Sequence, residues 1–100
     1  MTRRGPTYSL ADIQRRVAAG ACAVTRASRE GAALLGFDET DIVACVLGLT
    51  PRDFYKTMEA EQRPGLWQDV YRPSYQGVPL YVKLQISVVG NAVVISFKEL

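Results

Sequence analysis

Apolar residues change their spacing halfway along this chain. Up to residue 50 they recur three and four positions apart. Beyond it they alternate with polar ones, so the period falls from about 3.6 to 2, the mark of a helical first half and a sheet second half. Ser9 is a candidate N-cap, and Asp12 three residues later resembles a capping box. Leu10, Ile13, Val17 and Ala18 follow at helical spacing, and Gly20 should end that helix. Residues 21–24 can form a short strand. Thr25 starts a second helix, whose face of Ala32, Ala33 and Leu35 runs to Gly36. A third start signal at residues 38–40 leads into Ile42, Val43, Val46 and Leu47, and Gly48 closes it. Thr50-Pro51 has the N-cap and N1 pairing of one short helical turn.

In the second half, residues 54–58 fit helix or strand. Arg63, Pro64 and Gly65 are predicted as a loop, residues 66–72 as a strand ended by Pro73, and Gln76-Gly77 as a turn. Residues 80–89 alternate: Leu80, Val82, Leu84, Ile86 and Val88 on one face, Tyr81, Lys83, Gln85 and Ser87 on the other. Residues 92–98 alternate too, with Val93, Ile95 and Phe97 apolar. Gly90-Asn91 between these runs predicts a two-residue hairpin turn. That register would pair Val89 with Ala92, Ile86 with Ile95, Leu84 with Phe97 and Lys83 with Lys98. Two lysines would then face each other, mildly destabilising the sheet unless an anion such as phosphate sits between them. The expected fold is α+β: helices of the N-terminal half packed on a mainly antiparallel C-terminal sheet, one domain over residues 1–100.

Composition narrows the chemistry. With 48% hydrophobic residues a core is available, and a formal charge of +2 is too small to argue nucleic-acid binding by itself. Placement says more, because from residue 66 to 98 Asp69 is the only acid, against Arg72, Lys83 and Lys98. There is no histidine, and Cys22 and Cys45 read as small buried apolar residues rather than a disulfide or metal site. The basic lead-in, residues 1–6, has no apolar stretch after it, so it is not read as a signal peptide. No apolar run approaches a membrane span, and the reading fits a reducing cytoplasm.

Cutting RNA without a metal requires a base for the 2′-hydroxyl, cations for the phosphorane oxygens and a proton for the 5′ leaving oxygen. Lysine can replace histidine if a neighbouring cation lowers its pKa from about 10.4. Lys83 and Lys98 are such a pair. Tyr81 can donate a proton or stack on a base, Arg72 can clamp a phosphate, and Gln68, of the same strand parity, can orient a base or the 2′-hydroxyl. Taken singly, each has a plainer structural reading: Lys83 as a solvated strand lysine, Tyr81 as a packing residue, Arg72 as a loop ligand, Trp67 as core. Their convergence on one face is the stronger signal.

Four segments then carry a resemblance: DFYKTM (residues 53–58), WQDVYRP (67–73), YVK (81–83) and VISFKE (94–99). With TYSL at 7–10, TRAS at 25–28 and the Gly-Leu before DFYK, they are similar to the MqsR family of bacterial toxins, RelE-like mRNA interferases of toxin–antitoxin pairs. The resemblance implies cleavage of mRNA at short GC-containing sites with GCU preferred, no metal cofactor, and 2′,3′-cyclic phosphate and 5′-hydroxyl ends. It implies a catalytic set of Lys56, Gln68, Tyr81 and Lys98, with Arg72 binding RNA. Lys83, favoured by the residue-level reading, is kept as an RNA phosphate contact. It also implies an MqsA-like antitoxin partner that binds zinc and carries a helix-turn-helix, so that DNA is met only through the complex. The competing readings are a non-catalytic nucleic-acid-binding or regulatory module, and a purely structural interaction domain with a solvated polar face.

Overall fold

In the computed structural model, which describes residues 5–100, the helices start where side-chain caps meet the backbone. Helix α1 (Leu10–Ala18) begins at Ser9, whose hydroxyl accepts the Asp12 N–H; the Asp12 carboxylate turns to Arg15 and Arg16 instead of closing the box. Strand β1 (Cys22–Val24) leads into α2 (Arg26–Leu34), capped by Thr25. Helix α3 (Glu39–Leu47) has a reciprocal capping box between Asp38 and Asp41. A single 3₁₀ turn (Pro51–Asp53) follows. The sheet is then completed by β2 (Phe54–Ala60), β3 (Arg63–Tyr71), β4 (Ser74–Tyr75), β5 (Val78–Ile86) and β6 (Ala92–Glu99). Residues 1–4 of the basic lead-in lie outside the described residues.

The strand order is β1-β6-β5-β3-β2, with β4 paired to β5. Every pairing is antiparallel except β1 with β6. The architecture is α+β, as the change of period predicts. Ile13 and Val17 of α1 and Ile42 and Val46 of α3 share one core with Leu80, Val82 and Leu84 of β5 and Ala92, Val94 and Phe97 of β6. Among the described residues no helix is long and apolar enough to cross a membrane. Cys45 is buried in this core and burial pushes its thiol up to about 12. Cys22, expected to be buried, is half-exposed, and both cysteines are free.

Two local devices seat the helices on the sheet. The Asp69 carboxylate, 0% exposed, accepts the N–H groups of Thr7 and Tyr8 at 2.9 Å each. The Tyr8 hydroxyl donates to the Trp67 carbonyl at 2.7 Å, so the segment entering α1 is pinned across β3. On the other side β1 stops at Val24, level with Val94. Beyond it the Ser28 and Thr25 hydroxyls donate to the Val94 and Ile95 carbonyls, and α2 lies along the rest of β6. The approach is close at Gly31, where a Cβ would overlap the Phe97 carbonyl oxygen.

One open reading is resolved and two expectations are corrected. Residues 54–58, open between helix and strand, are strand. Residues 63–65 are not a loop: Ala60 pairs with Arg63, and a register shift before Glu59–Trp67 absorbs the proline and glycine as a bulge at the hairpin end. The Gly90-Asn91 turn is a five-residue loop over residues 87–91, because Ser87 captures the chain: its N–H donates to the Asn91 carbonyl and its hydroxyl accepts the Asn91 N–H. Val88 and Val89 therefore project into solvent rather than extending β5. The register moves with the loop: Ile86 pairs with Ala92, Leu84 with Val94 and Val82 with Phe97, so β6 turns Ala92, Val94 and Phe97 to the core rather than Val93, Ile95 and Phe97.

Two stability predictions follow from these devices. Asp69→Ala leaves two inward N–H groups without their acceptor, and should lower the unfolding free energy by about 2–4 kcal/mol in a urea titration. Gly31→Ala forces α2 off β6, and should cost about 3 kcal/mol, the upper end for overpacking, read as a lower thermal midpoint.

Candidate active site on the open sheet face

Two β-bulges decide which side chains reach the face away from the helices. In β2, Phe54 pairs with Tyr71 and meets its ring edge-on at 5.6 Å, on the core side. The next pair is Lys56 with Val70, so Tyr55 is an extra residue. Strict alternation would return Lys56 to the core side; the bulge turns it outward. In β6 the shift falls between the Leu84–Val94 and Lys83–Ser96 pairs, making Ile95 the extra residue. Without it Ser96 and Lys98 would point into the core and Phe97 out. With it Phe97 is buried and Lys98 lies on the open face, directly opposite Tyr81.

One row of the open face then reads Lys56, Val70, Lys83, Ser96 across four strands. Adjacent strands are about 4.8 Å apart, which sets Lys56 and Lys83 roughly 10 Å apart at the backbone. Val70 between them is 0% exposed yet lies outside the core cluster: it is the dry floor of the site, covered by the side chains around it. Tyr81 and Lys98 form the next row, with the Lys98 Nζ 5.2 Å and the Lys83 Nζ 5.9 Å from the Tyr81 ring centre. On the far side of the lysine row, Gln68 is buried and donates its amide to Gln85 Oε1 at 2.9 Å. Arg72 continues the same parity past the end of β3. Its N–H donates to the Asp53 carbonyl at 2.7 Å and its guanidinium lies 4.5 Å from the Tyr55 ring centre.

The structure thus brings Lys56, Gln68, Arg72, Tyr81, Lys83 and Lys98 to one face. It does not set Lys83 against Lys98: Ser96 faces Lys83, and Tyr81 faces Lys98, because the longer loop and the bulge shift the register. Residue-level reasoning missed Lys56, in a segment of undecided structure; only the resemblance supplied it. It also missed Tyr55, which as a bulge residue obeys no period, and Gln85, whose role depends on a pairing with another strand.

Burial lowers the Lys83 pKa, with Lys98 next and Lys56 adding in the same sense against Glu61. Burial also raises the Tyr81 phenol, with Tyr55 contributing, so Tyr81 stays protonated at neutral pH and can donate. The arrangement can hold a phosphate among cations over an apolar floor, deliver a phenolic proton to it, and keep one lysine under pressure to lose its charge. Among the described residues no group of three or more His, Cys, Asp or Glu is placed to hold a metal ion.

A family model described as the motility quorum-sensing regulator, toxin of MqsA, matches residues 5–99. The mRNA interferase toxin MqsR of Escherichia coli (strain K12) is 35% identical over 99 residues, which cover 99% of this chain and 99% of that protein. Both matches run through the helices as well as the sheet, and on them the chain belongs to the MqsR toxin family.

Proposed function

We propose that this chain is the toxin of a toxin–antitoxin pair and acts as an endoribonuclease on mRNA, by metal-independent transesterification. The observation that carries the reading is the convergence of Lys56, Lys83, Lys98 and Tyr81 on one open face, where two bulges expose Lys56 and Lys98. The E. coli relative's description as an mRNA interferase supports it. In the reaction the 2′-oxygen loses its proton and attacks the adjacent phosphorus. The P–O5′ bond breaks and the leaving oxygen gains a proton, giving 2′,3′-cyclic phosphate and 5′-hydroxyl ends. Lys56 or Lys98, as the neutral amine, takes the first proton, and Tyr81 orients the phosphate or donates the second. Lys83 and Arg72 hold the phosphate oxygens. Gln68, itself held by Gln85, positions the base or the 2′-hydroxyl.

A preference for GCU-like sites and a cytoplasmic setting belong to this reading through the resemblance. So does an MqsA-like, zinc-binding, helix-turn-helix antitoxin through which DNA is met. An open sheet edge suits such a partner; α2 and the Thr25 and Ser28 hydroxyls occupy the β6 side, whereas β2 is the outer strand on the other.

The test is incubation with a defined single-stranded RNA in excess EDTA, with fragment ends mapped. Cuts at a few GC-containing sites with cyclic phosphate ends are expected. Lys98→Ala and Tyr81→Phe should each lower kcat by about 10²–10⁴, the range for losing an acid or base. Salt-sensitive RNA binding without any cut, with or without translating ribosomes, would instead establish a binding module.

Lys83 supplies a pH test. Because its folded pKa is lowered, the protonated form is disfavoured in the native state. Lys83→Met should therefore stabilise the protein at neutral pH, by less than about 1 kcal/mol for a partly solvated group, while weakening RNA binding. That advantage is full below the lowered folded pKa and shrinks to zero as pH rises toward the unperturbed value of 10.5. Unfolding curves of both proteins across that window check the sign.

A further inference from the structure

Next to the cationic face lies a cleft of about 340 Å³, lined by Arg52, Asp53, Phe54, Tyr55, Arg72 and Leu100. Its volume falls within the roughly 300–1,000 Å³ of sites that take a small organic group. The chemistry described above reaches only its Arg72 wall.

Three observations specify an occupant. First, the cleft holds two guanidinium groups, and neither Arg52 nor Arg72 has a carboxylate in ion-pair contact among the described residues. The nearby Asp53 carboxylate is engaged, accepting the Thr50 N–H at 2.8 Å and the Thr50 hydroxyl at 3.2 Å. Second, Tyr55 is 50% exposed, with the Arg72 guanidinium 4.5 Å and the Lys56 Nζ 5.5 Å from its ring centre. Exposed aromatic rings and guanidinium planes are the surfaces on which unpaired bases stack, and a free guanidinium fork matches phosphate oxygens. Third, Tyr55 is the extra residue of the bulge that turns Lys56 to the active face, so platform and lysine are chain neighbours about 3.8 Å apart at Cα. A strand whose phosphate sits among the lysines can therefore reach Tyr55 with its adjoining nucleotide.

We propose that this cleft is a nucleotide subsite: the base next to the scissile phosphate stacks on Tyr55, beside the Arg72 that holds that phosphate, Arg52 binds the neighbouring phosphate, and the subsite sets which RNAs are cut. The inference rests on the endoribonuclease reading and deepens it.

Short RNAs carrying each of the four bases, or an abasic residue, on either side of the cut test it. Wild-type kcat/KM should fall about 10-fold or more for an abasic residue on one side only. Tyr55→Ala should cut the intact RNA as slowly as wild type cuts the abasic one, and lose sensitivity to the abasic change. Tyr55→Phe, which keeps the ring, should behave as wild type. Arg52→Ala should weaken all RNAs about 5-fold and flatten their salt dependence. An uncleavable RNA with a 2′-deoxy residue at the cut, titrated in parallel, should bind about 10-fold more weakly to Tyr55→Ala. An active wild type whose Tyr55→Ala variant keeps the same base profile, abasic sensitivity and affinity overturns the subsite alone. A wild type that cuts no RNA, with or without translating ribosomes, overturns the nuclease reading, and the uncleavable RNA then decides the subsite: equal affinity of wild type and variant sinks it.

Discussion

The candidate site depends on broken alternation. A strand that buries Phe54 must, two residues later, bury whatever stands at 56; a strand that buries Val94 must bury 96 and 98. In this chain those positions hold Lys56, Ser96 and Lys98, which an apolar core cannot accept without partners. One extra residue in each strand, Tyr55 and Ile95, reverses the parity. The same step lets Phe97 enter the core and meet Phe37 edge-on at 6.5 Å. Core packing and the open face are thus satisfied by one device: removing the Ile95 bulge would exchange buried Phe97 for Lys98, and removing the Tyr55 bulge would turn Lys56 into the core.

The face made this way works against stability. Lys83 is partly desolvated beside two other cations, and its environment presses toward the neutral form. Val70 spends its burial under the site rather than in the main core. Gln68 is withdrawn from solvent and held by another amide. Such an arrangement is disfavoured in a free protein and would be relieved by a bound polyanion. The compensating strength lies on the opposite side of the same strands, in the Asp69 anchor and the α2 contact at Gly31.

What the sequence made legible divides along the same line. Helix starts are local chemistry: Ser9, Thr25 and Asp38 each act on an N–H three residues ahead, so their positions read directly and the structure agrees. Strand parity within β5 is equally local, and Tyr81 and Lys83 fall where alternation puts them. Register is a property of two strands. Gly90-Asn91 satisfies the rule for a tight hairpin, but Ser87 offers a closure the rule does not weigh, and the bulge at Ile95 has no signature in β6 alone. The local rules therefore set Lys83 against Lys98, though both reach the intended face. Lys56 was illegible for a related reason: its segment has two periods in conflict, because the bulge at Tyr55 erases both.

That conflict is itself informative. Where the local pattern fails, at 54–56 and 94–98, the strands carry Lys56 and Lys98, whereas strict alternation already places Gln68, Arg72, Tyr81 and Lys83 on the open face. Positions whose side chains contradict their expected burial are the ones a fold must accommodate by a special device. Here the device locally interrupts the ladder and delivers two separated cations to a surface that regular β-structure would have denied them. Tyr55 shows the same economy, since the residue that creates the shift also stands free to pair with Arg72 at the margin of the site. The bulges are therefore better understood as parts of the site than as irregularities of the sheet.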